Sequence, residues 1–214
     1  MRAVNDNALA SLPAARRGDV LVAVAAVETA KLPVPAQEFR ALLDPTLRHV
    51  VEQVVAAAGR VLIKVGSGYV TGYADDIRGQ LADLGVGVLP PEVRAVLTMV
   101  LLFSVAIPRA EGRLTAHDSW TEGDPVPTAL LKSGRIERKS TVDDALKELR
   151  LHDLVQQRQG GVVPGPQFLR LSARACSELF EELVLLAEPH GDLALGIRRQ
   201  RAMTAKSESD RHDG

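Results

Sequence analysis

Thirteen uncharged residues in a row, Ala95 to Ile107, include Val96, Leu97, Met99, Val100, Leu101, Leu102, Phe103, Val105 and Ala106, between Arg94 and Arg109. A run of this kind must be removed from water, yet it is shorter than the roughly 20 residues that a helical membrane span needs. It predicts a helix enclosed on most sides by protein, and therefore a fold in which other elements wrap around it. The rest of the chain can supply that cover: 46% of the 214 residues are hydrophobic and 3% aromatic, enough for one substantial core or two small ones. The 26 Lys and Arg against 27 Asp and Glu leave a formal charge of -1, so bulk charge cannot drive the coating of nucleic acid. Any contact with DNA has to be local.

Cys176 is the sole cysteine, which excludes an intramolecular disulfide and a zinc site built on two or more thiolates. His49, His117, His152, His190 and His212 are scattered without metal-ligand helical spacing, and no nucleophile elbow frames a Ser/His/Asp order. The expectation is a protein that is not an enzyme, with no catalytic residue, no metal and no cofactor. Met1 to Arg17 lacks the order of charged start, apolar middle and small-residue cleavage site found in secretory leaders, so the chain reads as cytoplasmic, with no membrane partner.

In the first half the pattern predicts a helix from about Asp19 to Ala30, with Pro33 and Pro35 in an ordinary connector after it. A second helix starts at Asp44-Pro45, a cap followed by proline at the first helical position, and carries Leu47, Val50, Val51, Val54 and Val55 to a stop at Gly59. Val61 to Val65 and Tyr69 to Tyr73, joined by Gly66-Ser67-Gly68, read as a hairpin. The glycines lack the Gly-Lys-Ser/Thr ending of a phosphate loop. Asp75 and Asp76 then open a helix, and Gly85, Gly87, Pro90 and Pro91 mark the break between two subdomains. Trp120 reads as an aromatic anchor that holds the polar stretch Ile107 to Pro127 to the body.

The most informative segment is Val126 to Leu171. Thr128 to Lys132 reads as a short helix. Ser140, with Asp143 three residues later, reads as the capped start of a second helix, to about Leu151, with Val142, Ala145, Leu146 and Leu149 on one face. Leu154 to Arg158 predicts a strand, Gln159-Gly160-Gly161 a turn, and Phe168 to Leu171 the returning strand. Helix, short helix, turn, amphipathic helix and two-stranded wing is the order of a winged helix-turn-helix, with the apolar helix from Glu92 to Ile107 as its first element. The fold class expected is mainly α with small β hairpins (α+β), a winged helix-turn-helix, in tandem if the first half contains another. From Lys132 to Arg170 there are eight basic and five acidic residues, a local excess of three positive charges. The DNA-contact candidates are Lys132, Arg135, Arg138, Lys139, Ser140, Thr141, Lys147 and Arg158, with Asp144 and Glu148 opposing a close approach to bases. Cys176 lies on the apolar stripe of an amphipathic helix, Ala173 to Ala187, and reads as a packing thiol.

Leu89 to Leu97 opening a hydrophobic helix, Ser140 to Leu149, and Leu154-Val155 before a glycine-turned wing resemble the winged-helix accessory subunits of bacterial condensins, the MukE/MksE-like proteins, and the related subunit of Wadjet-type plasmid-defence systems. The likeness covers about half of the chain and is architectural. It implies a homodimeric adaptor that binds a kleisin and, through it, an SMC-like ATPase, with double-stranded DNA touched nonspecifically along its backbone, in the cytoplasm and on the nucleoid. It also implies a first winged domain over Leu47 to Leu84, although helix, hairpin, helix is not the usual order. The division expected is residues 1–89 as a helical subdomain with a small hairpin, a degenerate winged helix; 90–196 as the winged helix-turn-helix with its packing helix; and 197–214 as a polar, flexible tail. A homodimeric winged-helix transcriptional regulator is the alternative that the same residues leave open.

Overall fold

The computed structural model describes residues 9–115, 118–133 and 139–212. It is a mixed α and β fold with two small antiparallel sheets.

The first helix, α1 (Ala14–Thr29), buries Val20, Ala23, Val24 and Val27, a three-and-four spacing that lines one face. The expected connector is in fact a strand, β1 (Val34–Pro35), paired with the hairpin to come. Pro35 is compatible with this because β1 is an edge strand of two residues, where a missing N–H costs little. A single helical turn, α2 (Arg40–Leu43), buries Ala41 and Leu42 and leads directly into α3 (Pro45–Ala57). The start of α3 is the predicted one: the Asp44 carboxylate accepts from the backbone N–H groups of Thr46 at 2.8 Å and Leu47 at 3.3 Å. The hairpin of β2 (Arg60–Val65) and β3 (Gly68–Tyr73) completes a three-stranded sheet in the order β1-β3-β2, with Val34 and Lys64 on either side of Tyr69. Leu42, Leu47, Val51 and Val55 meet Val20 and Val27 in the core of this half. A helix α4 (Asp75–Asp83) and an exposed stretch then lead to the second half.

The apolar helix is longer than its uncharged run. Pro91–Ala110 is continuous through α5 (Pro91–Leu101), a π turn (Leu102–Ala106) and α6 (Ile107–Ala110). At 20 residues and a mean hydropathy of 1.7 it is long and apolar enough, by length and composition, to cross a membrane. Its charged residues fall near its ends, and Val93, Val96 and Val100 lie in the core of the second half. The π turn leaves the Ser104 carbonyl to accept from Asp124 N–H at 2.8 Å, which ties the following loop to the helix.

Two helices follow, α7 (Thr128–Ser133) and α8 (Lys139–Leu151), and then β4 (Val155–Arg158) and β5 (Gly161–Pro164). Because α8 begins at Lys139, Ser140 lies inside the helix and not ahead of it as a cap. The hairpin also closes earlier than expected. Val155 to Arg158 pairs with Gly161 to Pro164, whereas Phe168 sits in a 3-10 turn, Pro166–Arg170. The cause is the tight Gln159-Gly160 turn: Gly160 takes a φ of +94°, open to glycine without steric cost, and brings the chain straight back. Val126 adds a third, single-residue strand by bridging to Val162.

Both halves thus run helix, short strand, helix, helix and hairpin, with the short strand paired to the last strand of the hairpin. The first half therefore has β1 and α2, which the order of helix, hairpin and helix had omitted. After the wing come α9 (Ala173–Ala187), capped by the Ser172 hydroxyl accepting from Ala175 N–H at 3.0 Å, and α10 (Asp192–His212). The α10 helix takes in most of the polar 197–214 stretch.

Candidate functional site

The α8 helix is amphipathic, as its spacing required. Val142, Ala145, Leu146 and Leu149 are buried, which turns Asp143, Asp144, Lys147 and Arg150 outward with Thr141 and Glu148 half-buried. Of the basic candidates, Lys132 is already engaged: its Nζ lies 2.7 Å from Asp143 Oδ2. Lys147 is exposed on α8 and Arg158 at the end of β4. The two elements are tied together where Arg150 Nη2 donates to Gln157 Oε1 at 3.2 Å, and Gln157 Nε2 in turn donates to the Gly161 carbonyl at 2.9 Å. Arg135 and Arg138 lie outside the described residues, as do the side chains of Lys139 and Ser140. This face mixes both signs of charge. Lys147 and Arg158 add positive charge to it, and Asp144 and Glu148 negative.

In the first half α3 holds the place that α8 holds in the second. It turns Thr46, His49, Glu52 and Gln53 outward. His49 Nδ1 lies 3.4 Å from Glu52 Oε2, and its Nε2 lies 3.1 Å from Gln53 Nε2, so the polar groups along this face satisfy one another. Arg48 is drawn back over the Tyr69 ring, 5.9 Å from its centroid. The outward side chains of this face include no Lys or Arg.

Behind these faces the two halves meet through Arg170. Its Nη1 donates to the Thr71 carbonyl at 2.8 Å, and its Nη2 donates to the Ala30 carbonyl. Thr71 is fully buried, and its hydroxyl donates to the Val27 carbonyl at 3.2 Å, so this part of β3 is fixed from both sides. Gly72 makes the close approach feasible, because a Cβ there would fall 1.9 Å from the Arg170 carbonyl oxygen. Burial lowers the Arg170 pKa below the ordinary guanidinium value, and the nearby Arg60 adds to the effect. Around this joint, Lys31 pairs with Asp153, Arg78 pairs with Glu178 at 2.8 Å, and the Ser172 hydroxyl donates to Asp75 at 2.7 Å.

Trp120 anchors its loop, as its isolation suggested. It is buried, stacks on Phe168 at 5.7 Å between centroids, and is covered by the Arg109 guanidinium at 5.0 Å. Arg109 also donates to the Asp118 carbonyl at 2.6 Å, and burial lowers its pKa. Beside this group, burial pushes the Cys176 thiol up, away from the thiolate form that a nucleophile needs. His117 lies outside the described residues. Among the described residues no three His, Cys, Asp or Glu side chains are disposed to hold a metal ion.

Sequence reasoning missed Arg170, which it read as a residue of a returning strand. The available signal was Pro166, four residues before it, which argues against regular pairing there. The chain matches no family model and no curated protein.

Proposed function

We propose that the chain is a non-enzymatic tandem winged-helix adaptor of an SMC/kleisin-type, condensin-like complex. The observation that carries this reading is the repeated order of helix, strand, helix, helix and hairpin, with Val34 on Tyr69 in one half and Val126 on Val162 in the other. That order and pairing support a winged helix-turn-helix reading of each half, and two such units joined by a polar lock suit a rigid spacer that holds partner chains apart at a fixed angle. The resemblance of Leu89 to Leu97 and Ser140 to Val155 to condensin accessory subunits supports the same reading. It makes the protein a homodimer in the cytoplasm, associated with the nucleoid, that binds a kleisin and reaches the SMC-like ATPase through it.

DNA contact in this reading is to the backbone and comes from the basic link with Lys147 and Arg158. The acidic residues of α8 and the self-satisfied face of α3 favour that over base readout. Titration of the isolated, full-length protein with a defined duplex and with scrambled duplexes tests it. Weak binding that is indifferent to sequence and collapses with added salt is expected. Nanomolar binding to one palindrome with large discrimination at physiological salt would overturn the adaptor role and favour the transcriptional regulator.

A further inference from the structure

A cavity of about 410 Å³ lies where α6, the C-terminal end of α9 and the first turn of α10 converge. Small side chains, Ala106, Ala110, Ala187 and Ala194, line it together with Ile107 and Val184. Small residues at converging helices leave room for a large apolar side chain to enter from outside. The apolar surface reaches the opening itself: Leu193, part of the lining, is 47% exposed. Neither element is short of packing where it faces its own core, since Leu183, Ala194 and Ile197 are buried. The exposed Leu193 is therefore surplus to the fold.

The charge around the opening has one sign. Glu111, Glu188 and Asp192 all belong to the lining. Glu111 is balanced by Arg113 at 2.7 Å, whereas Glu188 and Asp192 enter no ion pair among the described residues. An apolar groove whose acidic edge, at the start of α10, makes no ion pair at Glu188 and Asp192 among the described residues is complementary to an amphipathic helix that carries leucine-like residues at three-and-four spacing and Lys or Arg beside them. We infer that this groove is the docking site for a basic amphipathic helix of a partner protein chain. The inference rests on the adaptor reading for the idea that a partner chain exists. The chemistry of the groove is independent of which complex supplies it.

The test uses the full chain, labelled with ¹³C at its alanine methyls, and two probes: an amphipathic helical peptide of leucine and lysine and its leucine and glutamate counterpart. The lysine peptide should shift the methyls of Ala106, Ala110, Ala187 and Ala194 and bind roughly tenfold tighter than the glutamate peptide. The double variant Glu188→Lys, Asp192→Lys should reverse that preference. Glu188→Gln alone, which keeps a side chain of the same length against Gly191 at the start of α10, should weaken it. Unmoved methyls, or a preference that survives both variants, would overturn the inference. So would methyl shifts that depend on the concentration of the protein alone, because they would make a second copy the occupant. Failure of the chain to co-purify with any ATPase would remove the adaptor reading while leaving the peptide preference to be read on its own.

Discussion

Replacing Arg170 by alanine should uncouple the two halves of the molecule. The guanidinium donates to two carbonyls of the other half, Thr71 at 2.8 Å and Ala30. A hydrogen bond from a charged donor is worth about 1.5–3 kcal/mol, and a carbonyl abandoned in a buried setting carries the cost of its lost solvation. Two such bonds would set an upper figure near 6 kcal/mol, but Arg170 also gives up hydration on burial, the same cause that lowers its pKa. The expected net loss is about 2–3 kcal/mol, or a fall of about 1 M in the urea midpoint for a chain of this size. Urea unfolding should be followed by two probes at once. Trp120 fluorescence reports the second half alone, because the indole stacks on Phe168, whereas circular dichroism reports both halves. The transitions should coincide in the unmodified protein and separate in Arg170→Ala, with Arg170→Lys intermediate because it keeps one donor direction. An unchanged midpoint with coincident transitions would refute the reasoning, since it would mean that the halves are held by something other than this joint.

Three further outcomes follow from the same geometry. Gly161→Ala should open the wing at a cost of more than about 2 kcal/mol, because the added Cβ would meet the Val126 carbonyl oxygen at 2.2 Å and break the Val126–Val162 bridge; loss of amide protection at Val126 and Val162 in hydrogen exchange checks it. Arg174, and then Arg78, hold the Glu178 carboxyl below its ordinary pKa, so its contribution is present above the usual carboxylate range and is lost as the pH falls through and below it; Glu178→Gln should shrink the difference between urea midpoints at neutral pH and at pH about 3. Alanine at Lys132, Arg135, Arg138, Lys139, Lys147 and Arg158 should weaken binding to all duplexes about equally and flatten its salt dependence, with Lys132 contributing least because Asp143 already holds it.

What the sequence made legible was decided by local physics. The Asp44-Pro45 start of α3, the hairpin at Gly66 to Gly68 and the buried face of α8 each rest on a cap, a turn or a periodicity confined to a few neighbouring residues, and each stands where it was expected. The elements that were missed are the ones that distant partners create. Val34 and Pro35 form a strand only because β3 lies beside them, and Val126 only because Val162 does, so neither segment has a pattern of its own. The wing register went astray for a related reason. Phe168 and Leu171 look like strand residues, but Phe168 is drawn off by stacking on Trp120, some fifty positions earlier, and Pro166 opens a 3-10 turn. The candidate site was legible as a list of basic residues and not as a surface, because the pairing of Lys132 with Asp143 and of Arg150 with Gln157 depends on how α7, α8 and the wing fold together.

The measurement that bears most directly on the adaptor role is mild cross-linking in the native cell, followed by purification of the chain and identification of everything bound to it. A very long coiled-coil ATPase and a kleisin-like chain, recovered in fixed stoichiometry with two copies of this protein, are the predicted result. A homodimer recovered alone, still bound to one defined DNA sequence, would contradict it.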